Sequence, residues 1–333
     1  MILDRRLIAL LPNDRTMTLA RALLGVVALA IAPAVIVSFM AINEVGKRQA
    51  QLDAERSLAV TDHGIVEYVT WGSGPVVLVI HGAGGGFDQG RLLAEALGGA
   101  GFQWIAVSRF GYLGSDLPED PSIPAQARAF EALLDQLQIE TAHILAMSGG
   151  VPPALKFAEL LPGRTGRMVL LSSAPFTPFG PDVDERPIPT WMYSALLGND
   201  VVYWVLTRVS RGMIEEAFDA RADLRSGKIP EEEAFVRELV DTFLPASKRV
   251  QGVINEAAAV DPSLTYRLDR IESQVLIVHA VDGRLNPFDI GQTLAVDISG
   301  SEFLSMETGG HLLLGHHAEL RKKISEHLAA PRD

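Results

Sequence analysis

Residues 142–162 read "AHILAMSGGVPPALKFAELLP". An apolar run of strand length enters Ser148, and a helical pattern leaves it and ends near Pro162. A strand that turns sharply into a helix holds the residue at the turn in a strained backbone conformation. Its side chain is then pushed out above the sheet. So tight a turn needs small residues two before and two after, and Ala146 and Gly150 meet that need. Pro152 and Pro153 fall in or just past the first helical turn, where a missing N–H costs least. The stretch therefore predicts an exposed serine hydroxyl, Ser148, as a candidate nucleophile.

Short apolar runs recur at 64–70, 75–81, 102–108, 142–148, 167–173, 274–280 and 302–307. Several are apolar at nearly every position, as strands buried on both faces are. Helical patterns fall between them at 87–98, 122–138, 150–161, 287–296 and 312–329. This alternation predicts a mostly parallel sheet with helices on both faces. Only "WGSG" separates the first two runs, which predicts an antiparallel hairpin at one edge. The alternation breaks over 176–265, which opens on the Pro-rich "APFTPFGPDVDERPIP" (174–189) and continues as helix without strands. It reads as an insertion between two late strands. Its aromatic content, Trp191, Tyr193, Tyr203, Trp204, Phe218, Phe235 and Phe243 among it, fits either its own packing or an apolar pocket wall.

Upstream, "VIHGAGGGFDQG" (79–90) follows a strand-like run. It lacks the G-x-x-x-x-G-K-[ST] pattern that cradles phosphate and has no lysine nearby. Together with the serine turn it resembles the α/β-hydrolase fold, and the resemblance covers about 61–333. It implies a helical lid at 176–265. It also implies an oxyanion hole built from the backbone N–H groups of Ala83 and Gly149, fixed in advance for charge that appears only in the transition state. Gly84 is an alternative to Ala83. The family's chain order is serine, acid, histidine. His311, in "METGGHLLLGHH" (306–317), matches the family's base position, while His316 and His317 read as solvated helix residues. His81 and His279 end strands and read as structural. The acid should follow the run at 274–280, where the family pattern is G-x-x-D-x-x-x-P. Counting back from Pro287 lands on Gly283, so Asp282, one residue early, is the expected triad acid. "SRFGYLGSDLP" (108–118) matches a structural loop of the family, with Tyr112 a possible pocket wall beside Trp191 and Trp204.

The N-terminal region is distinct. Residues 22–42, "ALLGVVALAIAPAVIVSFMAI", carry no charge over a length that can cross a bilayer as a helix. Arg5, Arg6, Arg15 and Arg21 precede them, and only Lys47 and Arg48 follow closely. That bias predicts a single-pass anchor with a cytoplasmic N-terminus and the catalytic domain outside. The expected organisation is a cytoplasmic segment (1–21), an anchor (22–42), a polar helical stalk (43–60), a hydrolase core (61–175 and 266–333) and the lid. The 333 residues carry 29 basic and 41 acidic side chains, a net charge of -12, which argues against nucleic acid as partner. With no cysteine, thiolate nucleophiles and Cys-ligated metals are excluded. No histidine–carboxylate grouping has ligand spacing, so neither metal nor cofactor is expected.

A serine at the turn argues against family members that use aspartate there. The expected chemistry is hydrolysis of apolar carboxylic esters through a Ser148–His311–Asp282 triad and an acyl-enzyme. The alternatives are C–C bond hydrolysis or hydroxynitrile cleavage on the same residues. A peptidase has no feature pointing to amine recognition, and a membrane-tethered, non-catalytic binding protein is the reading outside enzymology.

Overall fold

A computed structural model describes residues 14–175, 198–225, 227, 229–258 and 264–331. The strands are β1 (Ser57–Thr61), β2 (Gly64–Gly72), β3 (Val76–Ile80), β4 (Gln103–Val107), β5 (Ala142–Met147), β6 (Thr165–Leu171), β7 (Val275–Ala280) and β8 (Glu302–Met306). The helices bearing on the site are α1 (Asp14–Glu55), α2 (Phe87–Leu93), α3 (Ile123–Gln136), α4 (Val151–Leu160), α5 (Asp200–Val209), α6 (Arg211–Ala217), α7 (Pro230–Asp241), α8 (Val250–Ala258), α9 (Phe288–Asp297) and α10 (His317–Ala329).

All eight strands form one sheet in the order β1-β2-β4-β3-β5-β6-β7-β8. It is parallel from β4 through β8, with β1 and β2 antiparallel at one edge. Strand alternation divides the core between its two faces. Leu78, Ile80, Ile144, Leu170 and Ile277 pack with Phe130 and Leu133 of α3, Leu155 of α4 and Ile290 of α9. Val77, Val79, Leu145, Val169 and Val278 pack with Leu93 of α2 and Leu320 and Ile324 of α10. The chain carries the insertion between β6 and β7, and its described part is helical, α5 to α8.

Two expectations need correction. β2 and β3 are not a hairpin, because β4 lies between them. The link after β2 crosses the start of β4 instead. Gly72 (φ 77) and Gly74 (φ 123) pass so close that a Cβ on either would lie 2.3 and 2.2 Å from the carbonyls of Phe102 and Gly101. Residues 43–60 are not a free stalk. Ala41, Val45 and Leu52 of α1 are buried. Glu44 accepts from Trp204 Nε1 (2.9 Å) and pairs with Arg208, Arg48 pairs with Asp88 (2.6 Å), and 57–61 is the edge strand β1. Among the described residues no helix is long and apolar enough to cross a membrane. The uncharged 22–42 stretch lies within α1, whose side chains before residue 31 are outside the description.

Candidate active site

Ser148 opens the short 3-10 turn that joins β5 to α4, with φ 51, a left-handed conformation rare for a residue with a side chain. The demand for small neighbours is visible at Gly150, where a Cβ would lie 2.3 Å from the Ile80 carbonyl oxygen. The hydroxyl of Ser148 is 3.4 Å from Nδ2 of Asn286, and the same amide donates to the Ser172 carbonyl at 2.7 Å. Asn286 was not singled out by the sequence. It stands in the loop after β7, where no motif marks it.

The loop after β3 lies against the serine turn. A Cβ on Gly149 would be 3.4 Å from the backbone nitrogen of Ala83. Gly84 donates its N–H to Tyr112 Oη (3.3 Å) and Gly82 donates to Gln89 (3.0 Å), so Ala83 is the loop residue placed beside Gly149 with its N–H uncommitted among the described residues. The insertion and the core also meet here. Phe243 packs so tightly on Gly84 that a Cβ there would fall 1.9 Å from its ring. Arg249, fully buried, donates to the Gly85 carbonyl (2.6 Å) and pairs with Asp88 (2.9 Å).

A polar cluster faces the same turn. Glu256 of α8 accepts from Arg109 (2.8 Å) and from Tyr112 Oη (2.5 Å), and its Oε1 lies 1.5 Å from where a Gly149 Cβ would be. Arg109 further donates to the Gly149 carbonyl (3.0 Å) and the Gly82 carbonyl (3.1 Å). A cavity of about 110 Å³ opens beside the cluster, lined by Arg109, Tyr112, Gln126, Gly149, Pro153 and Glu256, among others. Tyr112 is thus placed as a pocket wall. Trp204 is not, because it is buried between α5 and α1 with its ring N–H on Glu44. Trp191 lies outside the described residues.

His311 follows β8 in a turn and is 7% exposed. Burial pushes its imidazole down to about 4. The Asp219 carboxylate opposes that shift and nearby His279 adds to it. The ring is therefore neutral near pH 7. Asp282 is held by a backbone N–H and by Arg221. Its Oδ1 accepts from the Gly310 N–H (2.9 Å) and its Oδ2 from Arg221 (2.7 Å), so it braces the turn that carries His311. The carboxylate on the far side of that turn is Asp219, between α6 and α7 of the lid. It accepts from the His311 N–H (2.8 Å) and the Arg284 N–H (2.9 Å) and pairs with Arg221. No sequence signal ties it to His311, 92 residues away.

The other histidines are mostly structural. His81 bonds the Gly82 carbonyl (2.7 Å) and accepts from the Arg109 N–H (3.0 Å), a neutral ring between fixed partners. His317 is buried rather than solvated. It stands on the Leu312 carbonyl (2.9 Å) and edge-on to Phe235, because α10 begins only there and the preceding turn folds inward. Among the described residues no cluster suits a metal ion.

The sequence profile of the alpha/beta hydrolase fold family matches residues 75–318. A 2-hydroxy-6-oxononadienedioate/2-hydroxy-6-oxononatrienedioate hydrolase of Paraburkholderia xenovorans is 27% identical over 256 residues, 73% of this chain and 82% of that protein. Its namesake from Paraburkholderia phymatum is 28% identical over 265 residues, 76% of this chain and 87% of that protein. Among solved structures, an alpha/beta hydrolase fold protein from Nakamurella multipartita superposes with a TM-score of 0.69 at 24% identity, covering 82% of this chain and 99% of that one.

Proposed function

The chain belongs to the alpha/beta hydrolase family and is a hydrolase, and from that premise we propose that it hydrolyses a carbon–carbon bond beside a ketone in a 2-hydroxy-6-oxo acid. The observation that carries this reading is the similarity, over three-quarters of the chain, to relatives named for such acids. Those compounds contain no ester, so adding water must break a C–C bond next to the 6-oxo group. In the proposed reaction Ser148 Oγ adds to that carbonyl, and the Ala83 and Gly149 N–H groups hold the oxyanion. His311 takes the serine proton and returns it to the departing carbon, and water then releases the acyl group from Ser148.

A second reading, hydrolysis of apolar carboxylic esters, is favoured by one specific feature. Arg109, the guanidinium beside Gly149, is already neutralised by Glu256, so a substrate carboxylate arriving there meets a carboxylate. The two readings separate in one experiment. A 2-hydroxy-6-oxo-dienoate, followed by loss of its conjugated absorbance, is assayed beside p-nitrophenyl esters, with Ser148→Ala as control. Turnover of the dienoate at 10²-fold or more higher kcat/KM than any ester supports the first reading, and the reverse order supports the second.

We also read residues 22–42 as a membrane anchor with a cytoplasmic N-terminus. The uncharged sequence supports this, as do the exposed apolar side chains Ile31, Val35, Ile36, Phe39 and Met40 along α1. Resistance of the full chain to carbonate extraction tests it, and release into the soluble fraction contradicts it.

A further inference from the structure

We propose that Asp219, supplied by the helical insertion, is the carboxylate that positions the His311 imidazole, in the place that Gly283 leaves without a side chain. This rests on the reading of Ser148 and His311 as nucleophile and base. A histidine that takes a serine proton needs an acid to hold it in one tautomer and to stabilise the imidazolium that forms. Asp282 reaches this turn at the Gly310 N–H and at Arg221, whereas Asp219 bonds His311 itself, at its backbone N–H, and is the carboxylate that favours a charge on the ring.

Asp219 is placed for the task. It is 2% exposed and sits at φ 63, a conformation that asparagine and aspartate tolerate better than most residues. One of its oxygens joins the backbone N–H of His311 to that of Arg284, so it spans the two turns that build this end of the site. The other pairs with Arg221. A Cβ on Gly310 would lie 2.8 Å from it, so the glycine before His311 is what admits the carboxylate. Hydrolytic competence then depends on the lid being docked, because the lid brings the acid.

The charged and titratable groups around His311 are Asp219 and Arg221 from the lid, Asp282 and Arg284 from the loop after β7, and His279 at the end of β7. Removing Asp219's charge lowers the imidazole's affinity for a proton. In Asp219→Asn we expect kcat to fall roughly 10³-fold and the acidic limb of kcat/KM to move to lower pH. Adding Gly283→Asp to that variant should restore most of the rate and return the limb. At Gly283 a Cβ meets nothing closer than 3.3 Å, so the new side chain fits with a small shift. A purely structural Asp219 predicts a loss that Gly283→Asp does not repair and a limb that does not move. That result overturns the proposal, as does an Asp219→Asn rate within fivefold of wild type. If Asp219→Asn does not fold, Gly283→Asp alone decides. With Asp219 in the role, a second carboxylate leaves activity unchanged or lower, whereas a tenfold gain shows the position vacant and refutes the proposal. A wild type that neither turns over substrate nor reacts with a fluorophosphonate removes the underlying reading, and the proposal with it.

Discussion

The strained turn at Ser148 and the place of His311 after the last strand were legible in the sequence because their constraints are local. A small-x-Ser-x-Gly turn between strand and helix, and a Gly-Gly-His after the last strand, announce themselves within a few residues. Asp219, Glu256 and Arg109 were not legible, because each acts on a residue 40 or more positions away. The His311 ring gives a pH prediction. Burial holds its folded value at about 4 against 6.5 for the free side chain. Between those values the unfolded chain binds more protons than the folded one. Stability from this group is therefore full above about pH 6.5 and is lost as pH falls towards 4, by up to about 3 kcal/mol. Urea midpoints should decline across that window, and His311→Gln should flatten the decline. Activity, which needs the neutral ring, should hold down to mildly acidic pH and fall only near pH 4.

At the scale of elements, the parallel strands were legible because strands buried on both faces read as continuous apolar runs. Their neighbours were not. Which strand lies beside β2 is settled by the crossing of Gly72 and Gly74 over the start of β4, a contact that strand patterns do not encode. The seam between lid and oxyanion loop was equally hidden, since it depends on Arg249 meeting Gly85 and Asp88 some 160 residues away. Arg249→Ala leaves Asp88 with Arg48 alone and removes the support of the Gly85 carbonyl. Stability should drop by about 3–5 kcal/mol, as when one partner of a buried pair is deleted, and kcat should fall as the loop carrying Ala83 loosens. Denaturant melts and steady-state kinetics check both. An unchanged kcat would detach the lid seam from catalysis.

For the whole molecule, α1 changes the picture drawn from composition. The sequence separates an apolar segment, a polar stalk and a catalytic domain, but one helix runs unbroken from Asp14 to Glu55 and docks on the insertion through Val45 and Glu44 and on α2 of the core through Arg48. A chain beginning at residue 51 loses that cover from Trp204 and Asp88. It should melt at least about 4 °C below one beginning at residue 36. Equal melting temperatures would show the docking to be energetically idle. The proposed function rests on one hydroxyl, and the most direct test is covalent. A fluorophosphonate should leave its adduct on the tryptic peptide that contains Ser148, and Ser148→Ala should lose both that adduct and roughly 10⁴-fold or more of the hydrolytic rate. An adduct on another residue, or turnover that survives in Ser148→Ala, would contradict the account.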